Sequence, residues 1–265
     1  MSADSLPAEL RRALVRLART PRLLVACDYD GTLAPIVEDP DQALPRPESV
    51  TALRALASLA ATTVAVISGR ALRDLAALSR LPSEVHLVGS HGSEFDEGFV
   101  HALEPAQRAL HEELHTELER LVVDAKGVSI EAKPASIAVH VRRAEPETGE
   151  RVLSAVRAGP CTWDRVQVTE GKSVIELAVV QTDKGQALDL LRHQVGASAV
   201  VFLGDDVTDE KAFARLTGPD VGVKIGAGET LADYRVQSPE DITTTLALLA
   251  EERRGWLHGE AAVPI

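Results

Sequence analysis

The chain has 265 residues, enough for a sizeable core in one large domain or two modest ones. Its 45% hydrophobic and 26% charged content is ordinary for a soluble globular protein, and with 3% aromatics aliphatic side chains must fill the interior. A formal charge of −12 argues against nucleic acid as a partner, although a local cation cluster or a metal can still admit an anionic substrate.

Two cysteines, Cys27 and Cys161, give neither a disulfide framework nor a metal-ligand spacing. The first twenty residues carry Glu9, Arg11, Arg12, Arg16 and Arg19 and lack the continuous apolar stretch of a secretory signal. Nowhere do eighteen apolar residues run together. The expectation is a cytoplasmic protein without a membrane partner.

Leu6, Leu10, Leu14 and Leu17 recur at helical spacing and predict an amphipathic helix packed on the first strand. That strand is the apolar run Leu23 to Cys27, buried on both faces, which leads directly into Asp28-Tyr29-Asp30-Gly31-Thr32. A Pro-rich connection, 35–47, precedes a helix over 48–60 with Val50, Leu53, Leu56 and Leu59 as its stripe. Strands at 63–67 and 85–88 flank a helix at 72–79, the first ending in Ser68-Gly69-Arg70 and the second in Gly89-Ser90-His91-Gly92. This strand–helix alternation predicts a parallel sheet covered on both faces.

After about Leu103 the pattern changes. A long helix over 106–123 is followed by short alternating runs at 128–133, 137–142, 166–169 and 172–178, with a helix at 147–157 between the middle two. Alternation means one wet and one packed face, as in an antiparallel sheet with helices on one side. The first pattern resumes at Asp183 with a helix to His193. The strand 199–203 then runs into Gly204-Asp205-Asp206-Val207-Thr208-Asp209, and a helix at 210–216 and a strand at 220–224 follow. Ser238-Pro239-Glu240-Asp241 opens the last helix as a capping box. The fold class expected is α/β: a doubly wound, Rossmann-like parallel-sheet core, 1–103 and 181–265, with an inserted α+β cap domain, 104–180.

In an open α/β sheet, chemistry gathers beyond the carboxyl ends of the strands. Taken singly, each acidic segment is equally a solvated turn or a helix cap. Together, Asp28-Tyr29-Asp30-Gly31-Thr32, Ser68-Gly69-Arg70, Lys184 and the 204–209 run resemble the four motifs of the haloacid dehalogenase superfamily. Within it the chain is most similar to the trehalose-6-phosphate phosphatases. The likeness spans about Leu24 to Leu248 and includes Gly89 to Glu94, Lys133-Pro134, Ile137 to Arg142, Glu170 to Glu176 and Asp183-Lys184-Gly185. The first twenty residues and the tail after Glu252 lie outside it.

The resemblance implies an Asp28 nucleophile that takes the phosphoryl group and an Asp30 general acid and base. It implies Mg²⁺ held by Asp28, the Asp30 carbonyl and Asp205, with Asp209 on a metal-bound water and Asp206 orienting Lys184. Ser68 would offer its hydroxyl and backbone N–H to the phosphoryl oxygens, Lys184 a fixed cation. Gly69, Arg70 and His91 fall on the substrate side, His91 being equally a loop-stabilising residue. In the cap, one strand face carries Glu131, Lys133, His140, Arg142, Lys172 and Glu176, opposite Ile130, Ile137, Val139, Ile175 and Leu177. A mixed-charge face is ordinarily just solvated, but it also suits a polyol, whose hydroxyls donate and accept. The resemblance carries the sugar grip to Glu131, Lys133, Lys172 and Glu176, and more weakly to Arg142 and Glu170.

The function so implied is Mg²⁺-dependent release of phosphate from trehalose 6-phosphate through an aspartyl-phosphate, with a small-molecule sugar phosphate as partner. It leaves open functional pairing with a trehalose-6-phosphate synthase. Three alternatives stand beside it: a phosphatase of another sugar phosphate such as sucrose 6-phosphate, a phosphoacceptor signalling domain, and a catalytically silent sugar-binding subunit.

Overall fold

The structure is a computed structural model that describes residues 5–37, 39–96, 103–133, 135–171, 173–180 and 182–259. The chain divides into two compact units, Met1–Phe99 with Asp183–Ile265, and Val100–Thr182.

The first unit begins with α1 (Ala8–Ala18), β1 (Leu23–Cys27), α2 (Pro47–Ala57), β2 (Thr62–Ile67), α3 (Leu72–Ser79), β3 (Val85–Gly89) and the short β4 (Glu94–Phe95). The second unit contributes α4 (Pro105–Val122), β5 (Ser129–Ala132), β6 (Ser136–His140), α5 (Pro146–Ala158), β7 (Gln167–Gly171) and β8 (Val174–Ala178). The first unit resumes with α6 (Lys184–Val195), β9 (Ala199–Gly204), α7 (Glu210–Phe213), β10 (Val221–Ile225), β11 (Tyr234–Val236) and α8 (Pro239–Leu257). Among the described residues no helix is long and apolar enough to cross a membrane.

Seven strands form the first sheet in the order β11-β10-β9-β1-β2-β3-β4, parallel throughout except β4. The chain winds outward from β1 through β2 and β3, then returns to the other side of β1 with β9. The reversal at β1 and β9 is the topological switch point where such sheets open a crevice. All five β1 residues are buried. Strand alternation sends Leu23, Val25 and Cys27 into one layer with Leu10, Leu14, Leu53, Leu56, Ile242 and Leu246. Leu24 and Ala26 enter the opposite layer with Leu188 and Leu191 of α6 and Phe213 of α7. Each fully buried aliphatic side chain there contributes roughly 1.5–3 kcal/mol of transfer free energy.

Three details differ from the sequence expectation. The first helix packs mainly on α8, with β9 and β10 beneath it, while sharing its apolar layer with the first strand. Arg253 of α8 accounts for part of this: its guanidinium is fully buried and donates to the carbonyls of Ala18 at 3.0 Å, Ala61 at 2.8 Å, and Thr20. A side chain from near the end of α8 thus closes the orphaned carbonyl end of α1. Second, the buried face of α2 is Ser49, Ala52, Leu53 and Leu56, a rotated stripe in which Ser49 Oγ meets Thr243 Oγ1 at 2.7 Å on α8. Third, β4 and β11, of two and three residues, have too few alternations to register as strands. The Ser238–Asp241 capping box forms as read, with Ser238 N donating to Asp241 at 3.1 Å.

The second unit is an antiparallel sheet in the order β5-β6-β8-β7. Ile137, Val139, Ile175 and Leu177 make its packed face, against Leu114 and Leu118 of α4 and Val152 and Val156 of α5. Register places Glu131 opposite Ala138 and Ala138 opposite Glu176, so the two glutamates lie in one cross-strand row on the other face.

Candidate active site

Asp28 follows β1 directly, and its N–H extends the ladder to the Leu203 carbonyl at 2.8 Å. It shares parity with Leu24 and Ala26, so it emerges on the α6 side of the sheet. Lys184 is the first residue of α6, capped by Asp183, whose carboxylate accepts from Gln186 N. Sequence alternation on one strand and the start of one helix therefore bring a carboxylate and an ammonium together across 156 positions: Lys184 Nζ donates to Asp28 Oδ1 at 2.6 Å. The same ammonium donates to Asp209 Oδ1 at 2.7 Å. All three residues are buried, Lys184 at 3%, Asp28 at 4% and Asp209 at 0% exposure.

Asp209 sits at the end of a short 3₁₀ turn, Val207–Asp209, after β9. Its second oxygen accepts the backbone N–H groups of Asp205 at 3.0 Å and Asp206 at 2.9 Å, folding the loop back on itself. Gly204 is required for this closure, because a Cβ there would overlap the Asp209 carboxylate. Gly31 plays the matching part opposite: its φ is +78°, and a Cβ would overlap the Asp205 carboxylate. Carboxylate oxygens of Asp28, Asp205 and Asp209 consequently lie within 4.8 Å of one another.

Three carboxylates facing one ammonium leave an excess of negative charge. Burial pushes the Asp28 carboxyl well above the usual range, against the pull of Lys184. Burial and then Asp209 push Asp205 up as well. Burial alone would lower the Lys184 ammonium, but Asp28 and Asp209 outweigh it and raise it. Asp205 Oδ1 is buried with no hydrogen-bond partner. An orphaned carboxylate oxygen in an all-oxygen cluster short of positive charge fits a hard divalent cation such as Mg²⁺.

Asp30 has a different environment. Its carboxylate is gripped bidentately by Arg70, Nε to Oδ2 and Nη2 to Oδ1, both at 2.7 Å. Arg70 Nη2 also donates to the Pro40 carbonyl at 2.8 Å, and its guanidinium lies 5.7 Å from the centroid of the Tyr29 ring. Tyr29, between the two acids, is fully buried and donates its hydroxyl to the Ala43 carbonyl at 2.8 Å. The residues flanking the acids thus tie down the 40–43 turn. Asp28, Asp30, Gly69, Arg70, His91, Lys184 and Asp205 line a cleft of about 630 Å³, with Ile36 and Val37 at its rim.

The sequence model of the trehalose-phosphatase family matches residues 26–240, four-fifths of the chain and every side chain just described. The chain belongs to that family. A trehalose-phosphate phosphatase of Mycobacterium marinum is 35% identical over 95% of this chain and 68% of its own length. The trehalose-6-phosphate phosphatase of Escherichia coli is 33% identical over 84% of each. The structure of the Aspergillus fumigatus trehalose-6-phosphate phosphatase superposes with a TM-score of 0.59 at 27% identity, covering 91% of this chain and 97% of that one.

Several expected roles change in this member of the trehalose-phosphatase family. Asp209, not Asp206, accepts from Lys184; Asp206 is exposed and caps the 3₁₀ turn by accepting from Val207 N. The Ser68 N–H is taken by the Val88 carbonyl at 2.8 Å, so it is not free for an oxyanion. Its hydroxyl accepts from Arg70 N at 3.1 Å, and the residue is buried. Arg70 engages Asp30 rather than standing free for substrate. His91 adopts φ +55° with its ring against Gly69, where a Cβ would meet it at 2.6 Å, so it does pack the loop. Burial, then Lys184, lowers the His91 imidazole from its ordinary range.

In the second unit the polar face is internally paired. Glu176 Oε1 accepts from Lys133 Nζ at 3.0 Å and from Ser136 Oγ at 2.6 Å. Glu131 Oε2 meets His140 Nε2 at 2.9 Å. Arg142 is exposed beyond the end of β6. Glu170 lies on the helix side, paired with Arg157 of α5 at 2.8 Å, because its register partner is the inward Ile175. It therefore does not share the face of Glu131 and Glu176. Lys172 lies outside the described residues.

Like Arg253 in the core, a buried charge beside this site escaped the sequence reading. Lys224, at the carboxyl end of β10, is 4% exposed. Its ammonium donates to the Asp205 carbonyl and, at 3.3 Å, to that of Asp206. The available signal was a lone lysine inside the otherwise apolar run Val221-Gly222-Val223-Lys224-Ile225.

Proposed function

We propose that the chain is a Mg²⁺-dependent phosphatase that releases trehalose and phosphate from trehalose 6-phosphate through an Asp28 phosphoryl intermediate. The observation that carries the reading is the Asp28–Lys184–Asp209 chain of charge-assisted bonds beside Asp205 at the switch point of the sheet. Family membership and the names of the relatives supply the substrate.

In this reading an Asp28 oxygen forms a bond to phosphorus while the bond from phosphorus to the sugar oxygen breaks. Asp30 gives its proton to the departing oxygen, then takes one from the water that attacks the aspartyl-phosphate, restoring both carboxyls and freeing phosphate. Arg70 occupies both Asp30 oxygens, so proton transfer requires its fork to swing off at least one of them. Lys184, held by Asp209, stabilises charge on the transferring group and orients Asp28. Asp28, Asp205 and Asp209, with the Asp30 carbonyl, would hold Mg²⁺, which when bound neutralises the repulsion between carboxylate and phosphate. Ser68 contributes its hydroxyl alone. Sugar recognition is assigned to the second unit, where Glu131, Lys133 and Glu176 offer both donors and acceptors on one face.

Phosphate release from trehalose 6-phosphate, sucrose 6-phosphate and glucose 6-phosphate, with and without Mg²⁺, tests this. The expected result is metal-dependent turnover with trehalose 6-phosphate preferred. Equal rates on all three, or full turnover by Asp28→Asn, would overturn it.

A further inference from the structure

Asp205 Oδ1 is a buried cluster oxygen without a hydrogen-bond partner, so the orientation of this carboxylate bears directly on a bound cation. Three backbone groups set it. The peptide before Asp205 is fixed by its N–H on Asp209 Oδ2 at 3.0 Å. The peptide after it is fixed at both ends, by Asp206 N–H on the same oxygen at 2.9 Å and by the Asp205 carbonyl on Lys224 Nζ. With both flanking peptide planes held, the direction of the Cα–Cβ bond follows.

Lys224 reaches this loop from β10, whose register pairs Lys224 with Gly204, the residue just before Asp205. The next carbonyl, that of Asp206, is within 3.3 Å of the same ammonium, and Glu210 Oε1 lies 3.7 Å away. Glu210 in turn accepts from Leu231 N at 2.8 Å through its other oxygen. The ammonium is therefore a buried node between two successive carbonyls and a tethered carboxylate. A buried cation costs several kcal/mol of desolvation, and an apolar side chain would be a cheaper occupant of this strand position.

We propose that Lys224 is a positioning residue that aims the Asp205 carboxylate at the divalent cation, an inference that rests on the Mg²⁺ reading above. It touches neither substrate nor metal; it acts through the Asp205 and Asp206 carbonyls. Groups of this kind typically alter metal affinity by about 10–100-fold.

Mg²⁺ binding to the metal-stripped full chain, followed by calorimetry, tests it, with the melting temperature recorded alongside. Absence of Mg²⁺ binding by the wild-type chain would remove the Mg²⁺ reading itself. Given wild-type binding, Lys224→Met should weaken Mg²⁺ by about tenfold or more and shrink the melting-temperature gain on adding Mg²⁺. A merely structural strut would lower the metal-free melting temperature and leave the Mg²⁺ dissociation constant unchanged, and that result overturns the proposal. Should Lys224→Met fail to fold, Lys224→Arg decides. It keeps the charge, but a planar fork does not reproduce one point donor to two carbonyls. Wild-type Mg²⁺ affinity in Lys224→Arg then overturns the proposal, and an intermediate loss supports it.

Discussion

The two sets of charges in this molecule are organised oppositely. At the switch point of the parallel sheet, Lys184 and Asp209 are sealed from solvent, and one ammonium is shared among an excess of carboxylates. On the polar face of the antiparallel sheet, acids and bases balance in local pairs, and Glu131 and His140 retain 37% and 40% of their side-chain exposure. The first arrangement is buried and short of a cation; in the second, one pair stays half-exposed while Lys133 and Glu176 keep only 8% and 15% of their side-chain exposure. A reaction centre needs charges that are fixed and unbalanced before the substrate arrives. Under the proposed function, a face that grips the sugar needs donors and acceptors that can exchange one partner for another.

Substitutions should separate these behaviours. The largest effect is expected for Asp28→Asn, with kcat falling by about 10⁴-fold or more while circular dichroism stays native. Retained turnover there would erase the distinction between the two regions. Lys184→Met leaves Asp28 and Asp209 buried without their cation, and should cost roughly 3–5 kcal/mol in denaturant unfolding besides removing activity. Glu176→Gln strips Lys133 of its charged partner and should raise KM for trehalose 6-phosphate about tenfold, with a smaller change in kcat. A loss confined to kcat would place Glu176 with the reaction centre instead. The smallest change is expected for Glu131→Gln, whose half-exposed pair is worth under about 1 kcal/mol, read as a melting temperature within a few degrees of wild type.

Much of the first unit was legible along the chain. The apolar runs at Leu23 to Cys27 and Ala199 to Leu203 have no competing periodicity, and both end in acids. The helix at Leu72–Ser79 and the Ser238 capping box follow from local chemistry and appear where expected. The site was less legible in its pairings. Asp206 and Asp209 are equivalent in a sequence, yet only Asp209 turns inward to Lys184, because Gly204 lets the loop curl beneath it. Arg70 likewise sits forty residues from Asp30, and no local rule links them.

What the residue order determined alone was all the longer elements and most of the candidate groups, since burial periodicity and capping act within a few residues; the two- and three-residue strands and Lys224 fell outside it. Partner choice was decided by the tertiary structure: Arg70 with Asp30, Arg253 with the end of α1, and Lys224 with the Asp205 loop. A hydrogen bond depends on positions to within fractions of an ångström. Those positions are fixed only when strand register and loop closure are settled together.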